Sequence, residues 1–180
     1  MAVFLQGALG DLDPYEISLR GDEGCEMVRK AGVDLGEGAL RLAQTLPSPV
    51  AQARLQVCES LVKVPHRNGD KSSEVCVMTA TVNRDLALVT IPGEPFIQHQ
   101  LNLRQQSPVP NTFMLGVAYC GRGSPYIVYI PTAQAVKEGG YGASQCSFVS
   151  GDAGDRLVER AVADLKALTG RNAKGRRETR

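Results

Sequence analysis

The chain has 180 residues, enough for one domain with a real core and too few to expect two. Its apolar share of 43% and charged share of 22% exclude wholesale disorder, and no apolar run reaches the length of about eighteen residues that a membrane helix needs. Formal net charge is +1, but five of the twenty basic residues and one of the nineteen acids lie in the last ten residues, RNAKGRRETR, so the body carries fifteen basic against eighteen acidic groups.

That basic tail, residues 171–180, reads as a solvated, flexible terminus, because no aromatic or groove-reading element accompanies it. A nucleic-acid partner is therefore not expected. The N-terminus lacks the basic flank and long apolar stretch of a signal peptide. As written, the chain carries no export signal and no transmembrane segment, which reads as cytoplasmic but leaves its localisation open. Five widely spaced cysteines, with no Cys-x-x-Cys pair, argue against a disulfide framework and against a thiolate zinc knuckle.

In chain order, FLQGALGDLDP (residues 4–14) runs from a short apolar lead into a glycine- and aspartate-rich turn, the way a strand ends near a site. Residues 22–46 repeat Met27, Val28, Ala31, Leu35, Ala39 and Leu42 at a spacing near 3.6, which predicts an amphipathic helix, broken near Gly32, that ends before Pro47. Residues 53–64 and 74–82 alternate apolar positions and predict strands. After the turn Asn83, Arg84, Asp85, the run LALVTI predicts a strand buried on both faces.

The PGEP turn, residues 92–95, follows, with Pro95 suited to the first position of a helix running to about Gln106. TFMLGVAY predicts another buried strand. YIVYIPTAQAVKEGGY predicts a short strand, a proline-started helical turn and a Gly-Gly stop before Tyr141. A final helix from about Ala153 to Leu168 lines up Leu157, Val158, Ala161, Val162, Leu165 and Leu168. Alternating strands and amphipathic helices define an α/β layered sheet with flanking helices.

In such sheets ligands collect beyond the carboxyl ends of strands, which nominates three turns: GALGDLDP, PGEP, and the segment from Cys120 to Tyr141. By residue type alone Glu94 suits a metal ligand or general base, and equally a first-turn acid complementing a helix dipole. His66 and His99 lack HExxH spacing, and a lone His99 on a helix reads as structural or solvent-facing. GALGDL is not GxGxxG, no GK[ST] or Gly-x-Ser-x-Gly is present, and nucleotide binding and a serine-hydrolase elbow are unsupported.

The collinear blocks FLQGALGDLDP, DLALVTIPGEPF and YIVYIPTAQAVKEGGYGAS, followed by LVERAVADL, closely resemble the C-terminal half of the catalytic domain of neutral/alkaline ceramidases and their bacterial relatives. The resemblance covers residues 3 to 169. It implies that residues 1–170 are a partial catalytic domain, an incomplete half of a larger one, in a family of zinc amidases that cleave the N-acyl bond of ceramide and whose full-length members are often exported. It implies that Glu94 and Tyr129 bind the zinc and that Tyr141 hydrogen-bonds the substrate amide and the developing oxyanion. The family's two histidine ligands precede the FLQGALGDLDP block and have no counterpart here. A catalytic zinc needs about three protein ligands and an open position, so this chain supplies only part of the site.

Gln6, Gly7 and Asp11 fall in the family's substrate-side turn, where Gln6, Gly10 and Asp11 match. Gly7 departs, standing where ceramidases carry a serine assigned a catalytic role, and this puts ceramide itself in question as substrate. The segment VAYCGRGSPY replaces a compact Asn-Gly turn, and its Arg122 reads as a variable loop residue, or as a partner for a substrate carboxylate or phosphate. The alternatives are a non-catalytic fragment or partner half, and a zinc hydrolase of smaller amides or esters. A half-domain would also leave a sheet face exposed, with self-association or an upstream half as its cover.

Overall fold

A computed structural model describes residues 3–13, 20–49, 51–119 and 123–170. Cys120, Arg122 and the basic tail lie outside the described residues. These residues fall into two units, one spanning Asp13–Ala53, the other formed by the chain up to Leu12 together with the chain from Arg54 onward.

The smaller unit is one helix, α1 (Gly21–Ala43), with no buried side chain. Asp22 and Glu23 in its first turn and Arg41 in its last complement the helix dipole. The pairs Glu26–Arg29, Lys30–Asp34 and Glu37–Arg41 tie successive turns. The helix runs through Gly32 without the break anticipated there.

The larger unit is built on a four-stranded sheet. Strands β1 (Leu55–Pro65), β2 (Ser72–Val82) and β3 (Leu86–Thr90) form an antiparallel meander. Between β3 and the sheet's last strand the chain makes the two-residue strand β4 (Glu94–Pro95) and helix α2 (Ile97–Gln106). It then returns as β5 (Asn111–Leu115), parallel to β3, giving the order β1-β2-β3-β5. The turn before β3 puts Asn83 (φ 53°) and Arg84 (φ 64°) in the left-handed region. Reciprocal bonds pin it to Arg54, whose N–H donates to Asn83 Oδ1 at 2.7 Å and whose carbonyl accepts from Asn83 N–H at 3.0 Å.

One sheet face is closed by α4 (Ala153–Thr169), which buries Leu157, Val158, Ala161, Val162 and Leu165 against Val62, Val64, Val75, Val77 and Val89. Each fully buried aliphatic side chain contributes about 1.5–3 kcal/mol of burial free energy. Helix α2 packs beside α4 through His99, whose ring lies so close to Gly154 that a Cβ there would sit 2.1 Å from the ring. Only glycine permits that approach. His99 is 1% exposed, so it is structural and the solvent-facing alternative does not hold.

Two strands differ from expectation. The LALVTI and TFMLGVAY segments are buried on one face, not two: Ala87, Val89, Thr112 and Met114 point into the core, while Leu86 and Leu88 are half-buried and Phe113 is exposed. A largely antiparallel sheet needs cover on one face only. On the other, Leu86, Leu88, Phe113 and Leu115 line an apolar groove of about 400 Å³ with Val3 and Leu5. Helix α2 also begins after Pro95, not at it, because Pro95 belongs to β4 and its carbonyl accepts from the Leu9 and Gly10 N–H groups at 3.1 and 3.0 Å.

The remaining elements are β6 (Tyr129–Ile130), parallel to β4, then α3 (Ala133–Glu138), capped by the Thr132 hydroxyl, and a π-helical turn at Tyr141–Gln145. Among the described residues Cys25, Cys58 and Cys146 are free, whereas Cys76 in β2 is disulfide-bonded, although the cysteine spacing argued against a disulfide framework. Among the described residues no helix is long and apolar enough to cross a membrane. The mixed sheet with flanking helices is the α/β layered class read from the sequence.

Candidate functional site

The three nominated turns converge. The opening segment lies along the β4 strand: Gly10 N–H donates to Pro95, and a Cβ on Gly10 would sit 2.3 Å from the Glu94 carbonyl oxygen, closer than any side chain tolerates. Strand β4 pairs in turn with β6, with Glu94 directly opposite Tyr129 and Pro95 opposite Ile130. Glu94 N–H donates to the Val128 carbonyl at 2.7 Å.

This register places a carboxylate among phenols. Tyr126 donates its hydroxyl to Glu94 Oε1. Burial, the hydrogen bond to Glu94 and the Glu94 charge push the Tyr126 phenol far above its ordinary value. The same three causes, in the same order, raise the Tyr129 phenol. The Tyr129 and Tyr141 rings meet edge to face, centroids 5.8 Å apart and planes at 78°. Tyr141 is 64% exposed, and its phenol is raised by a hydrogen bond to Cys146 and by that group's charge, then by partial burial and Glu94. At neutral pH all three phenols are therefore proton donors.

Backbone strain frames the cluster. Val117 (φ 53°) and Val128 (φ 56°) are β-branched residues in the left-handed region, each costing on the order of 1–3 kcal/mol. Val117 N–H donates to the Gly93 carbonyl and Val128 carbonyl accepts from Glu94, so both strained residues brace the PGEP turn. Strain of this kind concentrates at functional sites.

The predicted residues separate into two groups. Glu94, Tyr129 and Tyr141 come together. Gln6, Gly7 and Asp11 sit on the supporting segment: the Gln6 carbonyl accepts from Gly116 N–H at 3.1 Å, and the Asp11 carboxylate accepts from Ile97 N–H at 2.7 Å, which caps α2. A Cβ at Gly7 would lie 3.1 Å from Gln100 Oε1, the oxygen that accepts from Ala8 N–H. Arg122 lies outside the described residues. Sequence reasoning missed Tyr126 and Cys146. A signal for Tyr126 was present, because four of the chain's five tyrosines, Tyr119, Tyr126, Tyr129 and Tyr141, fall in one short segment.

As a zinc site the cluster supplies oxygen donors only, the Glu94 carboxylate and the Tyr129 phenol. Among the described residues no group of three His, Cys, Asp or Glu side chains is arranged to hold a metal. His66 bonds Ser73 Oγ at 2.9 Å and packs against Phe148, while His99 lies under α4. These donors fit zinc in kind but fall short of a complete cage. No protein-family model matches this chain, and no curated protein matches it.

Proposed function

We propose that this chain carries the carboxylate-and-phenol part of a ceramidase-like zinc amide hydrolase site, acting on the N-acyl bond of ceramide or a related lipid amide. The observation that supports the reading is the β4–β6 register, which sets Glu94 beside Tyr129 with Tyr141 at the edge of the same ring. Glu94 and Tyr129 would hold the zinc together with histidines from polypeptide outside these 180 residues. When bound, the metal supplies Lewis-acid polarisation of the amide carbonyl.

The chain's own residues have defined parts in this scheme. Tyr126 fixes the Glu94 carboxylate by donating to its Oε1 oxygen. Tyr141, exposed and protonated at neutral pH, donates to the amide oxygen as negative charge builds there. A donor aimed at that oxygen acts mainly in the transition state and so raises turnover.

A smaller amide or ester substrate is the second reading. It is favoured by Gly7, which has no hydroxyl and at which a Cβ would face Gln100 Oε1. The two readings are separated by comparing hydrolysis of ceramide with that of short N-acyl amines. The assay uses this chain combined with a separately expressed N-terminal half of a neutral ceramidase catalytic domain that carries the two histidines. Turnover of ceramide that requires both components supports the first reading. Turnover of short amines alone supports the second, and metal-free, inactive mixtures reject both.

A further inference from the structure

A second, polar cleft of about 480 Å³ lies between the β1–β2 loop and the segment that follows the π-helical turn. Arg67, Asn68, Asp70 and Lys71 line it from the loop, and Ser144 and Ser147 from the opposite side. Its wall is made by His66 and Phe148, whose rings meet edge-on with centroids 4.8 Å apart. Backbone pairing fixes the walls: Arg67 N–H donates to the Phe148 carbonyl at 2.7 Å, and His66 forms an antiparallel bridge with Val149.

Two donors at this cleft lack a partner among the described residues, Arg67 Nε and the hydroxyl of Ser147, a residue only 9% exposed. Buried polar groups are seldom left unpaired, and a group supplied by a ligand is one way to complete them. The cationic Arg67 and Lys71 outweigh the single carboxylate of Asp70, which favours an anion. Arg67 spends its two terminal nitrogens on the carbonyls of Ala143 and Ser144, so no free fork remains for the planar, bidentate recognition of a carboxylate. What remains is a set of single-point donors on opposite walls: the Lys71 ammonium, the Asn68 amide and the Ser147 hydroxyl, since the Ser144 hydroxyl donates to the Gly140 carbonyl at 2.8 Å. That set suits an anion with oxygens pointing in several directions, and lysine binds phosphate as a point charge.

We propose that this cleft binds a phosphate-class oxyanion, with Lys71 supplying the charge and Asn68 and Ser147 the directional hydrogen bonds. Arg67 links the site to the rest of the molecule, since it holds two carbonyls of the turn that carries Tyr141. Occupancy therefore reaches the Tyr141 turn through Arg67.

The test is an amide-resolved NMR titration of the full chain at constant ionic strength, with inorganic phosphate, glycerol 3-phosphate and acetate as separate arms. Saturable shifts at Arg67, Lys71, Ser147 and Phe148, spreading to Ala143 and Ser144, are expected with phosphate. Saturation by inorganic phosphate alone identifies the free ion, and tighter binding of glycerol 3-phosphate identifies an esterified one. Lys71 and Asp70 are exposed, so their variants keep the fold. Lys71→Ala is expected to weaken binding about tenfold or more, and Asp70→Asn to strengthen it. Non-saturating shifts, equal affinity for acetate, or unchanged affinity in Lys71→Ala would overturn the assignment.

Discussion

Glu94 and Tyr129 face each other across a two-residue parallel ladder, β4 against β6, and this pair joins the PGEP turn to the tyrosine-rich segment. Neither strand is long enough to be stable alone. The opening segment secures them by donating two backbone hydrogen bonds to Pro95.

Tyr126→Phe removes the hydroxyl that donates to Glu94. A hydrogen bond to a charged partner is worth about 1.5–3 kcal/mol, and partial exposure brings this toward about 1–2 kcal/mol. Urea unfolding should show that loss. An unchanged midpoint would mean that the carboxylate is held by other groups.

Gly154→Ala should destabilise the larger unit by about 1–3 kcal/mol through overpacking, because the new methyl collides with the His99 ring. The double variant His99→Ala/Gly154→Ala should recover part of that loss. Equal stability of the single variant and wild type would show that the two helices separate freely.

His99 gives the fold a pH dependence. Burial lowers its pKa below the ordinary 6.5, opposed by the Pro131 carbonyl, by Asp155 and Asp11 and by the Ile130 carbonyl. Those carbonyls lie near the ring, yet neither ring nitrogen has a well-formed hydrogen bond among the described residues, so burial prevails. The unfolded chain therefore takes up a proton before the folded one does. Stability is full above 6.5 and falls as pH drops from there toward the lowered folded pKa. Unfolding free energies between about pH 8 and about pH 5 should slope accordingly, with a smaller slope in His99→Gln.

Asp11→Ala removes the carboxylate that caps α2 at Ile97. A loss of about 0.5–2 kcal/mol is expected, typical of a helix cap. Hydrogen exchange should quicken first at Ile97 and Gln98, and uniform exchange along α2 would contradict the capping role.

Much of the fold was legible because burial follows period. Leu157, Val158, Ala161, Val162 and Leu165 recur at helical spacing and form the face of α4 that meets the sheet. The β1–β2 hairpin was legible for the same reason at period two. The two-residue strands β4 and β6 carry no period at all, and their pairing comes from tertiary contact, which is why Pro95 reads as a helix start when it is a strand residue. Face burial of β3 and β5 was also illegible, since LALVTI is apolar at nearly every position whether one face is covered or two.

The site was legible as a place before it was legible as a set of groups. The rule that ligands gather beyond strand ends selected three turns that do converge. Glu94, Tyr129 and Tyr141 came from the resemblance to ceramidases, and they are neighbours. Tyr126 escaped notice because its bond to Glu94 depends on how the chain doubles back over 32 positions, which spacing does not encode.

The most direct test of the Glu94–Tyr129 assignment is zinc stoichiometry by equilibrium dialysis, on this chain combined with a separately expressed N-terminal half of a neutral ceramidase catalytic domain that carries the two histidines. Wild type, Glu94→Gln and Tyr129→Phe are compared. One zinc per assembled site, lost or weakened at least about tenfold in both variants, is the predicted result. No bound zinc in the wild-type assembly, or equal zinc in all three, would contradict it.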